Sequence, residues 1–300
     1  MQPHRHIIWQ LTDKKRGHEN QSRGLVNAIK NLTASESYLL DVTGISFINF
    51  LFNYFPLGAP LPLPDLIVGA GRKSQLALIV AKRCFGGKTI CLMKPSLPLS
   101  WFDLCVIPKH DKPRLDKNIF LTVGVINTIT PKKNNHSKLG TILIGGPSKH
   151  HGWNSQEVIR QITSIINSNR QIVWKITNSR RTPLELTTML KTNQQLAKLF
   201  RSYDYSDSEW LEVYLPKCEK IWVTEDSVSM IYEALSTEAE VGLISVPKKR
   251  ITRISKIGEN LIESGLVRSL SNPRLAKKVT LNEAKRTASY IVDKWLDTDE

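Results

Sequence analysis

Residues 64–85 read PDLIVGAGRKSQLALIVAKRCF, a short apolar run followed by a longer amphipathic one. The first run predicts a buried β-strand over residues 65–68. The second run has apolar residues at helical spacing and predicts a helix over residues 74–85, with Ser74 as its N-cap. A strand that leads directly into a helix is the repeating unit of α/β proteins with parallel sheets and right-handed crossovers.

The same alternation continues in both directions along the chain. Further strands are predicted at residues 7–11, 37–42, 89–93, 104–107, 120–123, 141–144, 172–176, 221–223 and 242–246. Further helices are predicted at residues 19–32, 155–166 (with Asn154 as N-cap), 183–190, 228–235, 254–264 and 281–295. The pattern restarts at residue 141, after the polar stretch PKKNNHSK. We therefore predict two Rossmann-like domains, residues 1–133 and 134–280, and a closing helix over residues 281–300 that can pack back on the first domain.

The composition is that of a globular protein. Of the 300 residues, 41% are hydrophobic and 23% are charged, which excludes a wholly disordered chain. No uncharged apolar run reaches the ~20 residues of a membrane-spanning helix. The four cysteines form no CxxC pair, so we expect reduced thiols in a cytoplasmic protein rather than a disulfide scaffold.

The positive charge is concentrated in the first half of the chain. There are 42 Lys or Arg and 27 Asp or Glu, a net charge of +15; residues 1–150 contribute +12 and residues 151–300 contribute +3. Such a field attracts the phosphates of nucleic acid, lipid or substrate, and a solvated basic surface is the alternative. Zinc-finger spacing, an RNP-like aromatic strand and a GXXG clamp are absent where their context requires them, so nucleic acid is not a predicted partner.

Four polar segments follow predicted strands, at the sheet edge where open α/β sheets bind ligands. The segments are GHENQSRGL at 17–25, GGPSKHHGW at 145–153, NSRRTP at 178–183 and TEDSVSMIYEA at 224–234. The first segment starts with a glycine and reads as a loop after the first strand. It contains His18 and Glu19, the candidates for a catalytic general base.

The second segment has the residue types of a phosphate-binding loop. Gly145 and Gly146 allow the backbone to turn tightly and to approach a ligand. Ser148 and Lys149 add a hydroxyl group and a cation, which suit a phosphate. A tight turn between strand and loop, with no ligand, is the alternative.

Two neighbouring pairs complete this set of polar residues. Arg180 and Arg181 follow a buried-looking strand, and two guanidinium groups can clamp a phosphate. A solvated loop with one arginine in a surface ion pair is the alternative. His150 and His151 are expected to be surface imidazoles rather than metal ligands.

The fourth segment runs from a strand into a helix. Asp226 or Ser227 can cap that helix, and Ser227 and Ser229 then place hydroxyl groups at its positive end. Glu233 lies four residues after Ser229, on the same helix face. A carboxylate there can accept hydrogen bonds from the two hydroxyl groups of a ribose. A capped amphipathic helix with a solvent-facing glutamate is the alternative.

Taken together, these segments resemble a known family. GHENQSRGL, PDLIVGAGRKS, MKPSLPLSWFDLCVIPKHD, IGGPSKHHGW, SRRTP and TEDSVSMIYEA resemble, in this order, the family named for the plant "elongated mitochondria" fission factor and its bacterial relatives. The resemblance spans residues 5–296. It implies a glycosyltransferase-B-like α/β fold, with two Rossmann-like domains facing across a cleft and a nucleotide-sugar in the second domain. Glu233 would meet the ribose, and Gly145, Gly146 and Ser148 would face the diphosphate.

Two functions follow from this resemblance. The first is an enzyme that transfers a sugar from a nucleotide-sugar to an envelope lipid or saccharide. The second is a non-enzymatic adaptor at a membrane that retains the fold. Apart from residues 297–299 at the C-terminus, the sequence has no DxD, so we expect a transfer without a bound metal and without a cofactor. The leaving diphosphate would be stabilised by helix N-termini and Arg180 or Arg181.

An apolar segment suggests contact with a membrane. Residues 45–63 read ISFINFLFNYFPLGAPLPL and carry no charge. Asparagine and proline residues interrupt the run, which argues against a spanning helix. We predict that its aromatic side chains, Phe52 and Phe55 among them, hold the basic half of the chain on the inner face of an anionic membrane. A buried core segment is the alternative.

Overall fold

The computed structural model describes residues 5–114, 116–132, 137–203, 208–273 and 279–297, with the backbone alone for residues 208 and 209. It divides the chain into two compact units. Unit 1 comprises Met1–Thr128 and Asn282–Glu300, and unit 2 comprises Ile129–Leu281. The predicted boundary between residues 133 and 134 lies outside the described residues.

Both units are built on a parallel β-sheet. The strands are β1 His6–Thr12, β2 Ser35–Asp41, β3 Leu66–Ala70, β4 Lys88–Leu92, β5 Leu104–Pro108, β6 Ile119–Thr122, β7 Leu139–Leu143, β8 Val173–Thr177, β9 Phe200–Arg201, β10 Lys220–Thr224, β11 Glu240–Ile244 and β12 Arg268–Ser269. In unit 1 their order is β2-β1-β3-β4-β5-β6, and in unit 2 it is β12-β11-β10-β7-β8-β9. Every strand pairing in both sheets is parallel.

Helices connect most of the strands. They are α1 Arg16–Lys30, α2 Phe47–Leu51, α3 Arg72–Phe85, α4 Ser155–Asn167, α5 Leu184–Thr192, α6 Ser208–Tyr214, α7 Val228–Leu235, α8 Ile257–Glu263 and α9 Glu283–Trp295. The α/β prediction is confirmed, and each predicted element corresponds to an observed one with ends displaced by at most three residues. The elements α2, α6, β9 and β12 were not predicted. Of these, α2 has five residues and β9 and β12 have two each, too few to show a periodic pattern.

The core of unit 1 covers both faces of its sheet. Along a strand, successive side chains point to opposite faces, so Ile8 and Trp9 of β1 enter different apolar clusters. The first cluster contains α1 together with Ala288 and Ile291 of α9. The second contains α3 and Phe55. Burial on both faces explains why these strands read as continuous apolar runs rather than alternating ones.

The start of α3 corrects one detail of the sequence analysis. Ser74 is not the N-cap. Gly71, with φ +85°, occupies that position, and the Ser74 hydroxyl donates a hydrogen bond back to the Gly71 carbonyl at 2.9 Å. The other predicted cap is confirmed, because Asn154 Oδ1 accepts from the Glu157 N–H at 3.0 Å at the start of α4.

The apolar segment 45–63 is divided between surface and core. Phe55 is 3% exposed and stacks on Trp9, so its predicted place at a membrane is wrong. Phe52, by contrast, is 76% exposed. Within the described ranges, no helix combines the length and the apolar character that crossing a membrane requires. The four cysteines are free thiols, as predicted.

The strand order reverses its direction of winding at one point in each sheet. Unit 2, counted from β7, has the order 3-2-1-4-5-6 of the Rossmann fold, and the direction of winding reverses between β7 and β10. In unit 1 the reversal lies between β1 and β3. Ligands of open α/β sheets bind at such reversals, beyond the carboxyl ends of the strands.

A close approach within unit 1 yields a stability test. A Cβ atom on Gly24 would lie 2.2 Å from the Asn127 carbonyl oxygen, whereas one on Gly17, in the same helix, would have no neighbour within 4 Å. We expect Gly24→Ala to lower the free energy of unfolding by about 2–3 kcal/mol through overpacking. Gly17→Ala should leave it unchanged or raise it by up to about 1 kcal/mol. Urea unfolding measures both, and equal stability of the two variants would refute this packing.

Candidate functional site

The reversal point of unit 2 joins the loop after β7 to the start of α7. The Gly145 N–H donates to the Thr224 hydroxyl oxygen at 2.8 Å, and the Gly146 N–H donates to Asp226 Oδ2 at 2.9 Å. Both amide groups are therefore satisfied by the protein itself. A ligand would reach them only by displacing Thr224 or Asp226.

Packing explains why these two residues are glycines. A Cβ atom at Gly145 would lie 2.3 Å from Asp226 Oδ2, and one at Gly146 would lie 2.0 Å from the Arg181 carbonyl oxygen. The side that a side chain would occupy is filled by neighbouring protein atoms. The absence of a Cβ here serves the approach of one chain segment to another, where the sequence suggested the approach of a ligand.

Arg181 and Asp226 form an ion pair that closes this junction. Arg181 Nη2 donates to Asp226 Oδ2 at 2.8 Å, and Arg181 Nη1 donates to the Gly146 carbonyl at 2.8 Å. The Asp226 side chain has no exposed surface, while the Arg181 side chain is 43% exposed. The Thr182 hydroxyl donates to the Gly145 carbonyl and ties the same two loops together.

The N-terminus of α7 lacks a side-chain cap. Ser227 occupies the N-cap position and is buried, and its side chain makes no capping hydrogen bond to the first turn. Asp226, a predicted alternative cap, is engaged by Gly146 and Arg181 instead. Ser229 is exposed in the first turn, and Glu233 is half-buried one turn further along the same face. This helix end therefore carries a partial positive charge and N–H groups that suit an anion.

The remaining residues of the loop after β7 form a compact turn. The Ser148 hydroxyl oxygen accepts from the N–H groups of His150 (3.2 Å) and His151 (3.0 Å), so Ser148 has a local structural role. His151 is only 1% exposed, which corrects the prediction of a surface imidazole. Burial lowers the pKa of His151, and the nearby Asp226 carboxylate acts in the opposite direction. Lys149 is exposed.

Arg180 differs from its neighbour. It is exposed, and within the described part of the chain it makes no hydrogen bond or ion pair. One paired and one solvent-exposed arginine is the arrangement of the predicted alternative, except that the partner carboxylate of Asp226 is buried. Arg181 forms the ion pair, and Arg180 presents a guanidinium group to solvent.

Glu225 was not recognised in the sequence. It lies between β10 and Asp226, and burial raises the pKa of its carboxyl group to about 7, against the opposing effect of Lys248. Glu259 and Asp226 add smaller upward effects. The signal available in the sequence was a glutamate next to an aspartate directly after a predicted strand, in the TEDS stretch.

The reversal point of unit 1 holds a carboxylate–imidazole pair. His18 Nδ1 lies 3.0 Å and 3.1 Å from the two carboxylate oxygens of Asp13, whose side chain is fully buried. The imidazole lies over Gly71, where a Cβ atom would be 2.2 Å from the ring. A carboxylate on Nδ1 favours the tautomer with its proton there, which leaves Nε2 as a proton acceptor.

Glu19 has a different partner. Its Oε2 accepts from the Thr12 hydroxyl at 3.1 Å. His18 and Glu19 both lie in the first turn of α1 rather than in a loop, because α1 begins at Arg16. The sequence analysis missed Asp13, although an aspartate directly after the first strand, five residues before a histidine, was visible there.

The structure thus separates the predicted site residues into two places. His18 and Glu19 lie together in unit 1. The predicted nucleotide-sugar residues lie in unit 2, around the loops after β7, β8 and β10. Among the side chains that the structure describes, no group of three or more His, Cys, Asp or Glu residues is arranged to hold a metal ion.

Strand order and layering define a two-domain α/β protein with the glycosyltransferase-B-like fold. The chain belongs to the mitochondrial fission ELM1 family, whose model matches residues 16–295. The resemblance noted in the sequence is thereby confirmed. A Rickettsia prowazekii protein, uncharacterized protein RP120, is 25% identical over 95% of this chain and 97% of its own length.

Solved structures of other proteins share this fold. One, from Listeria monocytogenes, was proposed to be a UDP-N-acetylglucosamine 2-epimerase (TM-score 0.55, 12% identity, covering 97% of this chain and 88% of that one). MnaA of S. aureus, solved with UDP, has a TM-score of 0.53 at 12% identity, covering 96% and 88%. MurG of Acinetobacter baumannii has a TM-score of 0.52 at 9% identity, covering 97% and 99%. At these identities the likeness establishes the fold.

The Arg181–Asp226 pair gives a second stability test. Arg181→Gln leaves a buried carboxylate without its cation, so the free energy of unfolding should fall by about 2–3 kcal/mol, less than for a fully buried pair because the arginine is partly exposed. Arg180→Gln removes the same charge one residue away and should change it by less than about 0.5 kcal/mol. Thermal and urea unfolding measure both. If Arg181→Gln left the free energy of unfolding unchanged, the ion pair would not hold the loops together.

Proposed function

We propose that this protein binds a nucleotide-sugar in unit 2 and transfers the sugar to an envelope lipid or saccharide, without a bound metal. The observation that carries the proposal is the uncapped N-terminus of α7 at the reversal point of the Rossmann sheet, with Glu233 one turn along the helix. An anion site followed by a carboxylate at that spacing matches the two ends of a nucleoside diphosphate, its phosphates and its ribose.

The diphosphate is proposed to lie against the first turn of α7. The N–H groups there have no side-chain cap, and Ser227 and Ser229 add hydroxyl donors. Arg180 and Lys149 are exposed and supply positive charge. Gly145 and Gly146 contribute indirectly, because their bonds to Thr224 and Asp226 fix the loop beside the helix end.

The structural likeness supports the same ligand class. MnaA shares the fold and was solved with UDP, and the Listeria protein was proposed to act on a UDP-sugar. The two hydroxyl groups of a ribose are suited to a carboxylate that accepts both, and Glu233 is proposed for that role. All the residues proposed to bind the nucleotide belong to unit 2.

The general base is proposed to be His18. In the transfer, the acceptor hydroxyl gives its proton to His18 Nε2 as its oxygen bonds to the anomeric carbon, and the bond from that carbon to the diphosphate breaks. Asp13 holds the imidazole through Nδ1. Glu19, bonded to Thr12, is the second candidate. A chain that bound nucleotides but transferred no sugar would instead fit the adaptor hypothesis.

Replacing Glu233 tests the ribose contact. We expect Glu233→Ala to weaken UDP binding by about 1.5–3 kcal/mol, the range for hydrogen bonds to a charged group, which is roughly 10- to 150-fold in Kd. Isothermal titration calorimetry with UDP and uridine measures the change. Glu263→Ala, which removes an exposed glutamate of α8, is the control for lost negative charge. Unchanged UDP affinity in Glu233→Ala would exclude the ribose role.

We also propose that unit 1 contacts an anionic membrane surface through α2. The exposed apolar side chains of this segment, here called the α2 surface, are Phe47, Ile48, Leu51, Phe52 and Tyr54. Phe50 lies beneath them, stacked on Trp101 with the Arg83 guanidinium 4.3 Å from its ring centroid. Rigid apolar groups beside a cation suit the headgroup layer of an anionic bilayer.

Vesicle flotation tests the α2 surface. Phe52→Ser should reduce binding to vesicles that contain phosphatidylglycerol by about 1–2 kcal/mol, or roughly 5- to 30-fold, because most of the ring would be buried in lipid. Leu184→Ser, at a similarly exposed position in unit 2, is the control. Failure of the unmodified protein to float at low salt would contradict this contact.

A further inference from the structure

Two loops of unit 2 flank the strand that leads to α7. Residues 147–152 follow β7 and residues 247–256 follow β11, and β10 lies between those strands in the sheet. The loops are bonded to each other through their backbones. The Lys249 N–H donates to the His150 carbonyl at 2.9 Å, and the Gly152 N–H donates to the Pro247 carbonyl at 2.6 Å.

The second loop is also held internally. The Thr252 N–H donates to the Ser255 hydroxyl oxygen at 2.8 Å, and that hydroxyl donates to the Arg250 carbonyl at 2.7 Å. The Thr252 hydroxyl lies 3.0 Å from His150 Nδ1 in the first loop. Side chains that leave this turn therefore project from a fixed backbone.

Positive charge is concentrated on the second of these loops. Residues 245–259 read SVPKKRITRISKIGE, with five basic residues and one acidic residue. The single acid, Glu259, is paired with Lys248. Four of its basic residues, Lys249, Arg250, Arg253 and Lys256, are exposed, and the Lys248 side chain, which pairs with Glu259, is 27% exposed. We call these basic residues, with Ile251, the two-loop surface. This stretch alone carries a net charge of +4, whereas the whole second half of the chain carries a net charge of +3.

Ile251 distinguishes between the possible partners of this charge. It is 82% exposed and stands between Arg250 and Thr252 at the turn. A soluble phosphate or nucleotide needs converging donors and gains nothing from an apolar side chain held out in water. A lipid surface uses both, since cations meet the headgroup phosphates while an apolar side chain enters the layer beneath them.

We propose that the two-loop surface binds an anionic phospholipid surface, with Ile251 inserted among the headgroups and Arg250 and its neighbouring cations on the phosphates. The inference is independent of nucleotide binding. It also rests on residues of unit 2, whereas the α2 surface belongs to unit 1, so each contact can be tested while the other is intact.

The test compares a double variant with a matched control. Arg250→Gln/Ile251→Ser removes one cation and one apolar side chain from the two-loop surface. Arg170→Gln/Val173→Ser removes the same kinds of group at the amino end of β8, where Val173 is 60% exposed. Partition is measured on phosphatidylcholine vesicles with and without phosphatidylglycerol, at low and high salt, in the native sequence and in a Phe52→Ser background.

We expect the two-loop variant to lose roughly tenfold or more in partition to phosphatidylglycerol vesicles in both backgrounds, a loss that high salt reduces. The control should match its parent, and UDP affinity should stay unchanged in every variant. Loss of vesicle binding through Phe52→Ser alone, with no effect of the two-loop variant, would overturn the inference and leave the α2 proposal standing.

Three further outcomes would also overturn it. If soluble pyrophosphate displaced the protein from vesicles, the surface would be a site for a free phosphate compound. If UDP affinity fell in the two-loop variant, the loop would belong to the nucleotide site. If the variant lost tight binding to an RNA oligonucleotide while vesicle partition stayed constant, the partner would be nucleic acid.

Discussion

The organisation of unit 2 depends on one buried carboxylate. Asp226 accepts the Gly146 N–H and the Arg181 guanidinium through the same oxygen, and so connects the ends of β7, β8 and β10. Without it, the buried Gly146 N–H would have no acceptor, which is costly away from water, and the partly exposed Arg181 guanidinium would lose its carboxylate. Because Asp226 faces inward to these partners, it does not cap α7. The helix end next to it is left with N–H groups available to an anion.

The fold was predictable because it depends on local patterns. Runs such as residues 66–70 and 141–144 are apolar enough to be buried on both faces, and Asn154 marks a helix start by its own side chain. Where a boundary depends on a distant contact, the local pattern misled. Ser74 looks like an N-cap, but Gly71 takes that position because its left-handed backbone and missing side chain admit the His18 ring.

The sequence indicated which residue types form the candidate site. It did not indicate which residues they contact. Gly145, Gly146 and Arg181 were recognised as unusual, yet their partners lie up to 80 residues away and no local rule identifies them. Phe55 shows the same limit, since its sequence neighbours are exposed while it stacks on Trp9. The excess of positive charge in residues 1–150 follows directly from the sequence. The sequence could not show that the turn that carries the basic residues of 245–259 is held by hydrogen bonds of Thr252 and Ser255.

The central claim is that the first turn of α7 binds the phosphates of a nucleotide. Hydrogen–deuterium exchange of the full chain with and without saturating UDP tests it most directly, because it reports on the backbone N–H groups themselves. We expect UDP to slow exchange in residues 227–231 and in the adjoining loop after β7, and to leave residues 47–52 unchanged. Bound UDP with unaltered exchange at the start of α7, or protection confined to unit 1, would contradict the claim.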